Sequence, residues 1–125
     1  VKYINLTDHP IKIKGKSGVV TFPANKQKPL LVSENMAVGG QGEVVEYVQI
    51  YQDILHLPPK KKGIKYIVPL FILDALHRFQ GHPECPEHLK DRDDVVSPGR
   101  KVFGSDGKVL YAEGVKVGTA VRFKK

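Results

Sequence analysis

The stretch HPECPEH, residues 82–88, sets the only cysteine of the chain between two histidines and runs directly into LKDRDDVVSPGR. Those residue types allow three chemistries: a metal centre, an activated thiol, or a pocket for an anion. His82, Cys85 and His88, with Asp91 or Asp93 as a fourth ligand, make a chemically reasonable zinc set. The spacing matches no zinc module, however, no second cysteine pair follows, and Pro83 and Pro86 restrict how the ligands could converge. A catalytic thiol needs a depressed pKa, a neighbouring base and an oxyanion hole, whereas Glu84 and Glu87 flank Cys85 and oppose thiolate formation. Asp91, Asp93 and Asp94 lie beside Lys90 and Arg92 and read as neutralised rather than poised for acid–base work. The expectation is therefore a non-enzymatic protein without metal or cofactor, in which the thiol and both imidazoles are bystanders.

The same stretch does hold the mixture that a nucleotide pocket needs. Arg92 and Arg100 can grip phosphate oxygens in bidentate fashion, and Lys101 adds a point charge. Phe79 can stack on a purine, and Asp93 or Asp94 can accept hydrogen bonds from ribose hydroxyls. Each also has a structural reading: Phe79 completes an apolar helix stripe, Asp93 caps a turn, and Arg92 pairs with its acidic neighbours. Their concentration in one long loop is what raises the expectation of a ligand site at Phe79, Arg92, Asp93, Asp94, Arg100 and Lys101.

The chain that positions them has 125 residues, 41% hydrophobic and 26% charged, which describes one domain over residues 1–125 with a single modest core. Twenty Lys and Arg against thirteen Asp and Glu leave a net charge of +7 and favour an anionic partner. The lysines are dispersed rather than gathered in one stripe. No apolar run is long enough to cross a bilayer, and VKYINL lacks the pattern of a secretion signal, so a cytoplasmic protein without membrane contact is expected.

Periodicity predicts strands at VKYINL, IKIKG and VVTF joined as a meander, then PLLVS, a flexible loop at NMAVGGQG, and a strand at EVVEYVQIY. In that last strand Val45, Tyr47, Gln49 and Tyr51 share one face. PPKKKG must be a loop, and IKYIV is the next strand. A helix over 69–79 is predicted by Pro69 in its first turn and by Ile72, Leu73, Leu76 and Phe79 at helical spacing. A long loop follows over about 80–100, including a turn at SPG, then a hairpin around Ser105-Asp106-Gly107 and a closing strand VGTAVRF. The fold class expected is α+β, mainly an antiparallel sheet of short strands with one main helix. Long loops in small domains carry function disproportionately, which directs attention to residues 79–101.

YINLTDHPIKI resembles the INLTPHPV-type start of a family of small phage and prophage proteins, and YIVPLFILDAL, DRDDVVSPG and SDGKVLYAEGV resemble its second half in the same order. Asp8 stands where that family commonly has proline, and the segment from Ser33 to Lys62 diverges. The pattern is also similar to the anti-Thoeris sponge proteins, phage products that counter a bacterial defence by sequestering its cyclic ADP-ribose signal uncleaved. That resemblance implies stoichiometric binding of a cyclic nucleotide by a homo-oligomer in the infected bacterial cell, with Arg92-Asp93-Asp94 as the shared motif. The other reading is a basic phage accessory protein that binds nucleic acid or a host protein through its lysines.

Overall fold

The structure is a computed structural model and describes residues 1–120. Its elements are β1 (Lys2–Asn5), β2 (Ile11–Gly15), β3 (Gly18–Phe22), β4 (Leu30–Gln41), β5 (Val44–Leu55), β6 (Ile64–Ile67), α1 (Leu70–Phe79), a 3-10 turn at Glu87–Leu89, β7 (Val95–Phe103) and β8 (Val109–Lys116). Six strands form one sheet in the order β1-β6-β7-β8-β2-β3, and β4 and β5 pair separately as a long hairpin. The domain is α+β and mainly β, and antiparallel ladders carry most of the paired residues.

Helix α1 follows from its apolar spacing. Ile72, Leu73, Ala75, Leu76 and Phe79 are buried, His77 and Arg78 occupy the last turn where cations suit the helix dipole, and Gly81 at φ 75° turns the chain away. The helix bridges the parallel strands β6 and β7, which no tight turn can join. It covers one face of the sheet and encloses the larger core with Leu6, Tyr66, Val68, Val95 and Leu89.

The opposite face holds a second core of Ile11, Ile13, Ile67, Val96 and Ala112, with Tyr3, Phe22 and Val115 packed on it. Tyr3 and Phe22 belong to the two outermost strands, yet their rings meet edge-on with centroids 6.4 Å apart. Asn5 of β1 donates from Nδ2 to the Phe22 carbonyl of β3 at 3.1 Å. The sheet therefore curls until its edges touch, and this brings the segment after β1 beside the strands at the far end of the sheet.

Four local expectations differ from the structure. β1 does not join a meander; it pairs in parallel with β6, sixty residues on, a partnership that no local pattern encodes. NMAVGGQG is not a loop, because β4 runs through it to Gln41 against β5, with a register shift between Ala37 and Gly39 absorbing the irregularity. A Cβ on Gly40 would lie 2.1 Å from the Val44 carbonyl oxygen, so this glycine serves close strand approach rather than a bend. SPG lies inside β7 rather than in a turn, which shortens the expected 80–100 loop to the residues before Val95. Pro98 is tolerated there because β6 pairs with β7 only at Val95 and Val96, so its missing N–H leaves no ladder bond unmade. In VGTAVRF, Val117–Ala120 are not strand, and the remainder lies outside the described residues.

Candidate functional site: a lysine-lined cleft

The charged motif of the second half is a structural clamp. Arg92 and Asp94 are buried, and the guanidinium forks onto the carboxylate with Nε to Oδ1 at 2.8 Å and Nη2 to Oδ2 at 3.1 Å. Nη2 also donates to the Pro58 carbonyl at 2.8 Å and Nη1 to the His88 carbonyl at 3.4 Å. Arg92 thus ties the segment after β5 to the segment before β7. A hollow of about 370 Å³ lies over Lys60, His88 and Arg92, but Nε, Nη1 and Nη2 of Arg92 are engaged by protein oxygens.

The other expected ligand residues scatter. Phe79 is buried against Tyr51, with ring centroids 6.4 Å apart, so no face is free to stack on a base. Asp93 points to solvent and pairs with Lys60 at 2.6 Å, an interaction that holds its carboxyl below the usual carboxylate range. Arg100 forks onto Glu113 on the exposed sheet surface, at 3.2 and 3.1 Å. Of the six, Lys101 alone lines the large cleft described below. The ligand site expected over 79–101 is not assembled, because the buried clamp and the helix core take its two strongest members.

His82, Cys85 and His88 also diverge. His82 Nδ1 accepts from the Glu84 N–H at 3.1 Å, and His88 Nε2 lies 2.7 Å from Asp53 Oδ1. Cys85 is buried, with its thiol 3.5 Å from the Pro86 carbonyl, and burial pushes its pKa up. A raised pKa means less thiolate at any given pH. Cys85 should therefore react with iodoacetamide at pH 8 several-fold more slowly than an exposed cysteine, and a rate equal to that of free cysteine would contradict this placement. Among the described residues no three His, Cys, Asp or Glu side chains converge on a common point.

A second, larger concavity is an open cleft of about 1370 Å³. The segment Thr7–Lys12, the loop Asn25–Leu30, the start of α1, and parts of β7 and β8 form its walls. It lies beyond the carboxyl ends of the parallel strands β1 and β6, where open α/β sheets characteristically receive ligands. Lys12, Lys26, Lys28 and Lys101 contribute cations, and Asp8 is the single carboxylate in the lining. His9 and Lys28 both contact Asp8, at 2.8 and 3.5 Å, and hold its carboxyl below the ordinary value. Lys12, Lys26 and Lys101 form no ion pair among the described residues.

Other groups add to this positive field. Helix α1 opens onto the cleft at Pro69, Leu70 and Phe71 without a side-chain cap and without an acid in its first turn, so its N–H groups face the wall unopposed. Phe71 is exposed on that turn, and Tyr111 presents a second ring, over which Lys14 sits at 5.5 Å.

The segment through Thr7 and His9 is held rigidly by Asn5, which is itself buried. Asn5 Oδ1 accepts from the Thr7 N–H at 2.8 Å and from the Thr7 hydroxyl at 2.6 Å, and Nδ2 donates to the His9 and Phe22 carbonyls. The alternation IKIK places Lys12 opposite the buried Ile11 and Ile13, and that much is readable in sequence. That Lys101 borders the same cleft depends on β8 lying between β2 and β7, which is not, and its register with Ala112 and Ile13 sets it on the sheet face opposite Lys12. The aromatic Phe71 looks like one more apolar helix residue until the helix start is seen at the cleft wall. Compared with known proteins, the chain matches no family model, no curated protein and no solved structure.

Proposed function

We propose that this chain is a stoichiometric binding protein that captures a small, multiply charged nucleotide of the cyclic ADP-ribose class in the lysine-lined cleft and holds it unaltered. The observation that carries this reading is the cleft itself: four lysines against one carboxylate in the lining, with an uncapped helix N-terminus and two aromatic rings, Phe71 and Tyr111, on its walls. Phosphate oxygens find point charges and N–H donors there, and a base finds a face to stack on. The volume exceeds the roughly 300–1,000 Å³ of a pocket for one small ligand, so a nucleotide fills part of it. Holding without cleaving agrees with the chemistry of the lining. Asp8 and His9 pair at 2.8 Å, but the nearby Thr7 hydroxyl is buried and committed to Asn5, so these three side chains do not form an acid–imidazole–hydroxyl relay. The role in countering a host defence follows from the resemblance of the opening and closing motifs and is part of the same proposal.

Amide chemical-shift mapping tests the site. Titration of labelled protein with cyclic ADP-ribose should move resonances of Lys12, Phe71, Lys101 and Tyr111 and leave Phe79 and Arg92 in place. Silence at the cleft overturns the proposal. Shifts produced instead by an oligonucleotide, spread over Lys60–Lys62 and abolished by added salt, would identify a nucleic-acid-binding protein.

A further inference from the structure

The β4–β5 hairpin stands away from the body. Only its base joins the core, through Leu31, Ile54 and Tyr51, and from Glu34 to Gln41 and from Val44 to Gln49 every residue is exposed. At about 3.4 Å per residue, the seven paired positions from Glu34 to Gln41 project roughly 24 Å. An isolated two-stranded ribbon is at best marginally stable in water, because neither face is covered. The faces are not built for solvent either. Met36 and Val48 are a cross-strand pair about half exposed, continued on the same face by Ile50, and Tyr47 is exposed opposite Ala37 on the other. Neither strand carries the lysine or proline that normally protects a free edge.

Charge decides what can cover this arm. Residues 30–55 contain Glu34, Glu43, Glu46 and Asp53 and not one Lys or Arg. All twenty basic residues therefore lie in the rest of the chain, which holds nine acidic ones and carries a net +11. Arm-to-arm packing would set like charges face to face, and an anionic polymer would be repelled. A second copy of the body attracts the arm. The body also offers an exposed apolar patch: Phe103 and Val109 are cross-strand partners, Leu110 is adjacent, and all three are half exposed or more. Lys101 and Lys108 border it.

We infer that the β4–β5 hairpin is an assembly arm, which lays its Met36–Val48 face on the Phe103–Val109–Leu110 patch of a second copy, with its glutamates against that copy's lysines. The contact is heterologous, arm to body, and because Val109, Leu110 and Lys101 also line the cleft, it sets the arm of one copy beside the ligand site of another.

Sedimentation of the ligand-free full chain tests this at tens of micromolar. The wild type should have a mass that is a multiple of the chain, and Val48→Glu and Phe103→Glu should each reduce it to the single-chain mass with the near-ultraviolet dichroism of the wild type. Mixing the two monomeric variants should restore a complex, because one retains a sound body and the other a sound arm. A monomeric wild type, an oligomer indifferent to Val48→Glu, or monomeric variants that stay apart on mixing would each overturn the inference. Should a variant lose its fold, hydrogen exchange of the wild-type arm amides decides. Protection that rises with protein concentration supports the arm contact, and protection independent of concentration contradicts it.

Discussion

Replacing Arg92 with methionine is expected to destabilise the fold by about 3–5 kcal/mol, the cost of leaving a buried partner charge uncompensated. The side chains of Arg92 and Asp94 are only 3% and 5% exposed, and the guanidinium additionally satisfies the Pro58 carbonyl. Its removal therefore strands Asp94 and orphans a main-chain acceptor in the same step. For a domain of this size the loss corresponds to a fall in Tm on the order of 10–20 °C, readable by thermal dichroism. The double variant Arg92→Met, Asp94→Leu should recover part of the loss, since it removes the stranded charge as well. A single variant that melts with the wild type but no longer binds nucleotide would show instead that Arg92 is a ligand group.

The second large effect concerns the cleft. A charge-assisted hydrogen bond is worth about 1.5–3 kcal/mol, so each lysine that meets a phosphate oxygen accounts for roughly 10- to 150-fold in affinity. Lys12 and Lys101 stand on different strands and have no carboxylate partner among the described residues, so truncating them disturbs no structural pair. Lys12→Ala and Lys101→Ala together are expected to weaken nucleotide binding by at least 100-fold with little change in Tm. Arg100→Ala, whose guanidinium is engaged by Glu113 outside the cleft, should leave affinity within a factor of two or so. Equal losses from all three would mean that the protein responds to net charge rather than to a site.

How much of this was legible in the chain differs by element. Helix α1 announces itself through Pro69 and the 72, 73, 76, 79 stripe, and β5 through its run of β-branched and aromatic residues, because both signals are local. The Arg92-Asp94 clamp is half legible. The two residues are neighbours, but a charge-dense triplet reads as a solvated loop until Pro58, thirty-four positions earlier, closes over it. Phe79 illustrates a competition that burial wins: a helix-terminal aromatic satisfies its apolar surface against Tyr51 before any ligand arrives. The cleft was least legible. Its lysines come from β2, from the loop before β4 and from β7, and they border one cleft because β1 seeks a parallel partner far along the chain and the sheet curls back on itself.

Calorimetric titration of the protein with cyclic ADP-ribose, followed by denaturation and mass analysis of the released small molecule, tests capture without cleavage directly. The account predicts a saturable heat that disappears in the Lys12→Ala, Lys101→Ala variant, with the cyclic compound recovered whole. Absence of binding, or recovery of a linear or fragmented product, would contradict it.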